Sequence, residues 1–145
     1  MLNKYKLVIF DWDGTIMDSI SHIVACIQHS AVANGLTAPE EQSIKDIIGM
    51  SLPNAFETLF SANFDEYYEN FRSAYKEKYH TSAEAKLPLF DDIENLLIAL
   101  QERNKKLAVA TGKGRPGLDK LMQDHNMERF FEFSRTSDEA QSKPS

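Results

Sequence analysis

Residues 5–15 read YKLVIFDWDGT, and they carry the clearest indication of the fold class. The apolar run from Tyr5 to Phe10 is rich in strand-forming side chains, and the turn-prone sequence DWDG ends it abruptly. A continuous apolar run of this length is typical of a strand buried in a parallel sheet. The stretch therefore predicts the first strand of an α/β fold, with Asp11 and Asp13 just beyond its carboxyl end.

The next part of the chain predicts only helices. Apolar residues recur every three or four positions from Asp18 to Ala33, and an Asn-Gly pair then ends the pattern. Short helices are expected from Pro39 to Ile48 and after Pro53. An aromatic stripe from Phe64 to Tyr79 predicts a long helix with its rings inside. We therefore expect a helical cap, a separate domain over residues 17–86.

Strand and helix patterns alternate in the last part of the chain. A helical pattern comes first, and the run Leu107 to Thr111 (LAVAT) then predicts a second buried strand. The run Phe130 to Phe133 is expected to be a third strand, followed by a polar, turn-like tail. Residues 1–16 and 87–145 should thus form a Rossmann-like parallel sheet with helices, incomplete at its C-terminal end.

Composition argues against several classes of protein. The 145-residue chain is 42% hydrophobic and 26% charged, which is ordinary for a folded globular protein. Its net charge is -6, and it has no basic stripe, so we expect no nucleic-acid partner.

The N-terminal apolar run is too short for a membrane span or a signal peptide. The only cysteine, Cys26, falls in an apolar helical stretch. We expect a cytoplasmic protein without membrane contact.

Three motifs carry groups suited to phosphate and a divalent cation. Asp11 and Asp13 are expected at the mouth of a site, because ligands of open parallel sheets bind beyond the carboxyl ends of strands. Two carboxylates this close together favour a hard ion such as Mg²⁺. Thr111 and Gly112 follow the second strand, where hydroxyl and N–H groups can hold phosphate oxygens. Lys143 in SKP can neutralise a transferring phosphoryl group.

Each of these signals has a plainer alternative. The acidic pair can be a solvated turn, Thr111 a strand-terminal residue, and Lys143 a solvated lysine of the tail. Trp12 is expected to pack in the core. The histidines show no ligand spacing and are expected at the surface; they are His22, His29, His80 and His125.

In combination, the motifs resemble motifs one, two and three of the haloacid dehalogenase superfamily. The matching segments are DWDGTIMDS at 11–19, ATG at 110–112 and SKP at 142–144. The helical insert resembles the cap of the phosphoglycolate phosphatase-like branch. This resemblance implies a magnesium-dependent phosphatase acting on a small phosphorylated metabolite, such as phosphoglycolate, a sugar phosphate or a nucleotide, with the cap closing over the site.

The resemblance also implies a role for each motif residue. Asp11 would be the nucleophile that forms an aspartyl-phosphate, and Asp13 the general acid and then the general base. Thr111 and Lys143 would hold the phosphoryl oxygens. Mg²⁺ would bind the carboxylate of Asp11 and the backbone carbonyl of Asp13.

Further residues are weaker candidates for substrate binding. By the same resemblance, the backbone of Gly14 and Gly112 would help to hold phosphate. Gly49 and Met50 lie in a loop that approaches the substrate in that family, although turn geometry explains them equally well. Lys113 either binds an anionic substrate or simply begins a helix.

The sequence stops at Ser145, before the fourth motif of that family, usually a Gly-Asp pair whose acid completes the magnesium site. We therefore expect a truncated chain whose exposed sheet edge can pair with another chain. A phosphomutase and an inactive fragment that only binds remain alternatives. A signalling receiver domain fits poorly, because receivers carry their phosphoacceptor after a later strand and have no large helical insert.

Overall fold

A computed structural model describes residues 6–82 and 87–139 of the chain. Its strands form one parallel sheet in the order β1-β2-β3, and helices connect them. The strands are β1 (Leu7–Phe10), β2 (Lys106–Ala110) and β3 (Phe133–Arg135). The helices are α1 (Ile20–Ala33), α2 (Glu41–Asp46), α3 (Leu52–Leu59), α4 (Phe64–Ser82), α5 (Ile93–Glu102) and α6 (Arg115–Asp124). The predicted α/β class with a Rossmann-like parallel sheet is confirmed.

The strand register brings the carboxyl ends of the strands to one edge. Phe10 pairs with Val109, and Ala110 pairs with Arg135. The N–H of Thr111 extends the ladder by donating to the carbonyl of Arg135 at 3.0 Å. Residues that follow β1 and β2 therefore emerge side by side, as a shared site at the end of a parallel sheet requires.

Helices α1 to α4 form the helical block that follows β1. Within it, α1 and α3 both pack against α4. The aromatic stripe of α4 faces inward as predicted, and Phe56 of α3 sits among its rings, at 5.8 Å from Phe64 and 5.2 Å from Phe71 between centroids. Burial of aromatic rings is the main stabilising contribution in such a cluster. The boundaries of a separate cap domain at residues 17 and 86 stay predictions.

Two linkers connect the helical block to the sheet, and they hydrogen-bond to each other. The N–H of Asp18 on the outgoing linker donates to the carbonyl of Pro88 on the returning one at 2.9 Å. The N–H of Phe90 donates to the carbonyl of Ile16 at 3.0 Å. The two crossings therefore form a short two-stranded ribbon.

The predicted position of the third strand is wrong by a few residues. Phe130 belongs to a 3₁₀ turn, Glu128–Phe130, and its ring is buried in the core. The strand begins only at Phe133 and includes two residues predicted to be turn-like, Ser134 and Arg135. The apolar run arose because a buried turn, as well as a strand, needs apolar side chains.

Trp12 is fully buried in the core, as predicted, and Cys26 is fully buried as well. The indole N–H of Trp12 has no hydrogen-bond partner among the described residues. Within that same part of the chain, none of the helices has the length and apolar character needed to cross a membrane.

Candidate active site

Asp11 and Asp13 directly follow β1, as predicted. Asp11 is half-buried, and its Oδ1 accepts a hydrogen bond from the N–H of Trp12 at 2.8 Å. Gly14 then turns the chain with a φ of +77°, and a Cβ at this position would lie 2.6 Å from Cδ1 of Ile20. The backbone angle favours glycine here, whereas the Ile20 side chain could shift to make room.

The Asp13 carboxylate is held from two sides. Its Oδ1 accepts a hydrogen bond from Oγ of Ser19 at 2.7 Å, and its Oδ2 lies 3.4 Å from Nζ of Lys113. Only 11% of the Asp13 side chain and 16% of the Lys113 side chain is exposed. Because water screens a sheltered ion pair only weakly, this contact is stronger than an ordinary surface salt bridge.

Lys113 also contacts the helical block through α4. Its Nζ donates to Oη of Tyr79 at 3.2 Å and lies 4.7 Å from the centroid of the Tyr79 ring. Burial by itself lowers the pKa of Lys113, but the Asp13 charge and the Tyr79 hydroxyl outweigh it, so the pKa is raised. Burial likewise raises the pKa of Tyr79. The ammonium group therefore stays charged between a carboxylate and a neutral phenol.

His22 corrects the expectation that the histidines lie at the surface. It is half-buried, its Nε2 lies 3.3 Å from the carbonyl oxygen of Tyr79, and the two rings pack edge to face at 4.6 Å. Burial lowers the pKa of His22, with the Tyr79 carbonyl acting in the opposite direction. The prediction failed because the partner is 57 residues away in sequence. His29 and His80 are exposed, as expected.

The loop after β2 brings the second motif against the helical block. Thr111 is buried, and its Oγ1 accepts a hydrogen bond from the N–H of Lys113 at 3.1 Å. A Cβ on Gly112 would lie 2.2 Å from the carbonyl oxygen of Met50 and 2.7 Å from that of Gly49. The turn at Gly49 and Met50 therefore rests directly on this loop, and only glycine permits the contact.

A cavity of about 570 Å³ opens at this place. Of the predicted site residues, it is lined by Asp13, Gly49, Met50, Gly112 and Lys113. The other predicted residues that the structure describes, Asp11, Gly14 and Thr111, follow the same strands but do not line it. Lys143 lies outside the described residues, so its role stays a prediction. The structure thus joins groups from the β1 loop, the β2 loop and the helical block.

The carboxylates suit the coordination preferences of Mg²⁺ better than those of a transition metal. Within residues 6–82 and 87–139, no group of three or more Asp, Glu, His or Cys side chains could hold a metal ion. Magnesium commonly takes only one or two protein carboxylates and completes its shell with water and substrate phosphate. Ser19 and Lys113 already engage the Asp13 carboxylate, so Asp11 and the Asp13 backbone carbonyl are the donors that fit best.

Sequence reasoning missed Ser19 and Tyr79. Ser19 lies in the DWDGTIMDS segment, and its position six residues after Asp13, across a tight turn, could have indicated the contact. Tyr79 was assigned to the aromatic interior, and nothing in its local sequence distinguishes its hydroxyl from those of the other tyrosines. Its contact with Lys113 joins residues 34 positions apart.

The chain is similar in sequence to proteins with different names. The tyrosine-protein kinase PtkA of Mycobacterium tuberculosis is 35% identical over 127 residues, which is 88% of this chain and 43% of that protein. The phosphoglycolate phosphatase of Vibrio cholerae is 23% identical over 137 residues, which is 90% of this chain and 61% of that protein. The chain therefore spans about half the length of these relatives.

Solved structures and the family profile agree with the sequence motifs. A protein from Bacteroides fragilis, described as haloacid dehalogenase-like, superimposes with a TM-score of 0.84 at 25% identity, covering 97% of this chain and 68% of that one. The profile of haloacid dehalogenase-like hydrolases matches residues 8–145, nearly the whole sequence. The chain belongs to the haloacid dehalogenase-like hydrolase family.

Proposed function

We propose that this chain is part of a magnesium-dependent phosphatase that hydrolyses a small phosphate monoester through an aspartyl-phosphate on Asp11. One observation above all supports the proposal: the sheltered pair of Asp13 and Lys113, 3.4 Å apart, at one end of a cavity beyond the carboxyl edge of a parallel sheet. Membership of a hydrolase family gives this pair its chemical context.

In the proposed reaction, Asp11 attacks phosphorus and the bond to the leaving oxygen breaks. For this step Asp13 has to enter the reaction in its protonated form; it gives that proton to the leaving oxygen and later takes one from the attacking water. Ser19 and Lys113 hold the Asp13 carboxylate in place, and the Lys113 charge stabilises negative charge near the phosphoryl group.

Magnesium would be held by Asp11 and the Asp13 carbonyl, and when bound it neutralises charge on the phosphoryl oxygens. We propose that Thr111 and the backbone of Gly14 and Gly112 hold those oxygens, since hydroxyl and N–H groups beyond a strand suit phosphate. We propose that Lys143 also holds the phosphoryl oxygens, as a second cation beside Lys113.

Replacement of the nucleophile tests this mechanism. Asp11→Asn should lower Mg²⁺-dependent phosphate release from p-nitrophenyl phosphate by about a thousandfold, about 4 kcal/mol of barrier, because an amide cannot attack phosphorus. Asp18→Asn is the matched control, since Asp18 is an exposed acid of the same motif. Survival of most activity in the Asp11 variant would remove that residue from its role. An unsubstituted chain without activity would favour the inactive fragment.

Phosphoryl transfer is the second candidate, and the 35% identity to a protein named a tyrosine-protein kinase favours it. The same nucleophile would pass the phosphoryl group to an acceptor other than water, as it would in a phosphomutase. Incubation with γ-labelled ATP and a tyrosine-containing peptide separates the reactions. Labelled peptide supports transfer, whereas labelled inorganic phosphate alone supports hydrolysis.

We also propose a cytoplasmic location. The chain has a single cysteine, and its thiol is free and buried, which suits a reducing compartment. Fractionation of cells that produce the protein would check this.

A further inference from the structure

The cavity has a polar end and a long apolar body. Asp13 and Lys113 mark the polar end, where Tyr79 of α4 meets the ion pair. From there the lining continues along α4 to Tyr68, eleven residues earlier, which corresponds to about 16 Å along a helix axis. The cavity is therefore much longer than a two-carbon phosphate ester.

Hydrocarbon side chains form most of the walls of this body. α1 contributes Ile23 and Ile27, and the segment after α2 contributes Ile47, Ile48 and Met50. A substrate rich in hydroxyl groups would lose hydrogen bonds to water where it lies against these hydrocarbon side chains. An apolar substrate would instead release water from both surfaces.

Charged groups in the lining favour an anionic over a cationic ligand. Lys113 lies at the polar end, and Arg72 and Lys76 line the cavity from α4. The acids of the lining are Asp13, which is paired with Lys113, and Asp138, which accepts a hydrogen bond from the N–H of Arg115. Because Lys113 lies beside Asp13, a phosphate group is best placed at that end, with the rest of the molecule against the hydrocarbon walls.

We propose that this cavity binds phosphate monoesters whose leaving group is a long apolar chain or ring system, in preference to phosphoglycolate or sugar phosphates. The inference rests on the proposed phosphatase function and narrows its substrate class. The volume of about 570 Å³ lies in the range of cavities that enclose drug-sized ligands. The phosphate lies at Asp13 and Lys113, and the apolar chain lies against the hydrocarbon side chains of α1 and of the segment after α2.

A series of n-alkyl phosphates tests the proposal without changing the chemistry. Ethyl, butyl and hexyl phosphate release primary alcohols of nearly equal acidity, so differences in kcat/KM report contacts with the apolar body. We expect kcat/KM to rise roughly fourfold for each added CH₂. Hexyl phosphate should then exceed ethyl phosphate by roughly 250-fold. Phosphoglycolate and glucose 6-phosphate should fall below butyl phosphate.

Variants locate the effect in the cavity. Ile48→Ser should lower the hexyl-to-ethyl ratio of kcat/KM about tenfold, because it places a hydroxyl in the apolar wall. Ile98→Ser is the matched control, since Ile98 is an exposed isoleucine of α5 outside the cavity, and its ratio should equal that of the unsubstituted chain. The ratio does not depend on the fraction of folded protein, so a poorly folding variant still gives an answer.

The outcomes separate this inference from the function on which it rests. Magnesium-dependent hydrolysis that is flat across the alkyl series, or fastest with phosphoglycolate, overturns the inference and leaves the phosphatase intact. If no ester is hydrolysed, the phosphatase fails, and calorimetric titration with hexylphosphonate and ethylphosphonate decides the inference. Binding of hexylphosphonate at least tenfold tighter supports the apolar site, and equal or undetectable binding overturns it.

Discussion

Tyr79 is the residue through which the helical block reaches the ion pair of Asp13 and Lys113. Tyr79→Phe removes the hydroxyl that accepts from Nζ at 3.2 Å and keeps the ring beneath the ammonium group. Loss of a hydrogen bond to a charged group, worth about 1.5–3 kcal/mol, should free Lys113 to move and lower kcat about tenfold. Steady-state assays with p-nitrophenyl phosphate measure this, with Tyr67→Phe, a half-buried tyrosine of α4 outside the cavity, as control.

The pH profile separates this role from a merely structural one. The Tyr79 hydroxyl helps to raise the pKa of Lys113, so its removal lowers that pKa. The alkaline limb of kcat/KM should therefore shift to lower pH in Tyr79→Phe and stay in place in Tyr67→Phe. Identical profiles for both variants would contradict a positioning role for Tyr79.

Cys26 should be an unreactive thiol at neutral pH. Burial raises its pKa from 9.0 to about 11, and its Sγ lies 3.7 Å from Nε2 of His22, whose own pKa is lowered. Both shifts favour the neutral pair over a thiolate and an imidazolium. Alkylation by iodoacetamide at pH 8 should be about a hundredfold slower in the folded chain than in urea, as mass spectrometry can follow. Similar rates in both states would refute this protection.

The same shift has a consequence for stability. Because folding raises the pKa of Cys26, the folded state binds the proton more tightly than the unfolded state. This contribution to stability is fully present below pH 9 and is lost as the pH rises towards about 11. The raised pKa values of Lys113 and Tyr79 likewise contribute stability that is lost as the pH rises into the alkaline range.

At the scale of elements, Gly112 fixes the distance between the β2 loop and the turn after α2. Gly112→Ala would place a Cβ 2.2 Å from the Met50 carbonyl oxygen, and backbone cannot give way as a flexible side chain can. We expect a loss of about 1–3 kcal/mol in the free energy of unfolding, measured by urea titration. Activity should fall with it, because the turn lines the cavity.

Gly117 provides the matched control for this substitution. It lies inside α6, and a Cβ there would meet nothing within 4 Å. Gly117→Ala should therefore raise the free energy of unfolding by about 0.5–1 kcal/mol, because alanine favours helix. Destabilisation of the same size in both variants would show that the Met50 contact is not the cause.

Local pattern was sufficient to locate most elements. The helical spacing of the aromatic residues from Phe64 to Tyr79 located α4. The continuous apolar run LAVAT located β2 within one residue at each end, because a strand buried on both faces needs apolar side chains throughout. The contacts of His22 and Tyr79 were not predictable in this way. They join α1, α4 and the β2 loop, and no local period records which side chains of distant elements meet.

At the scale of the whole molecule, one face of the sheet carries exposed apolar side chains. Ile9 of β1 is 58% exposed and Phe133 of β3 is 48% exposed, and each lies beside Ala108 in the register. Apolar side chains on the outer strands of a sheet invite association. We therefore expect the 145-residue chain to self-associate, in keeping with the prediction that its edge pairs with another chain.

Sedimentation equilibrium tests this expectation. Ile9→Lys should raise the dissociation constant about tenfold or more, because burial of an isoleucine is worth about 1.5–3 kcal/mol. Val32→Lys is the control, since Val32 is 65% exposed on α1. A monomer at every concentration, or equal effects of the two lysines, would show that the sheet face is not the contact.

The ribbon formed by the paired linkers restricts how the helical block can move. Two independent tethers would allow rotation in any direction. The two linker segments are joined by hydrogen bonds of 2.9 Å and 3.0 Å. The ribbon can bend perpendicular to its plane with these bonds intact, whereas sliding one segment along the other would break them. We therefore expect the helical block to rotate most easily about one axis across this ribbon.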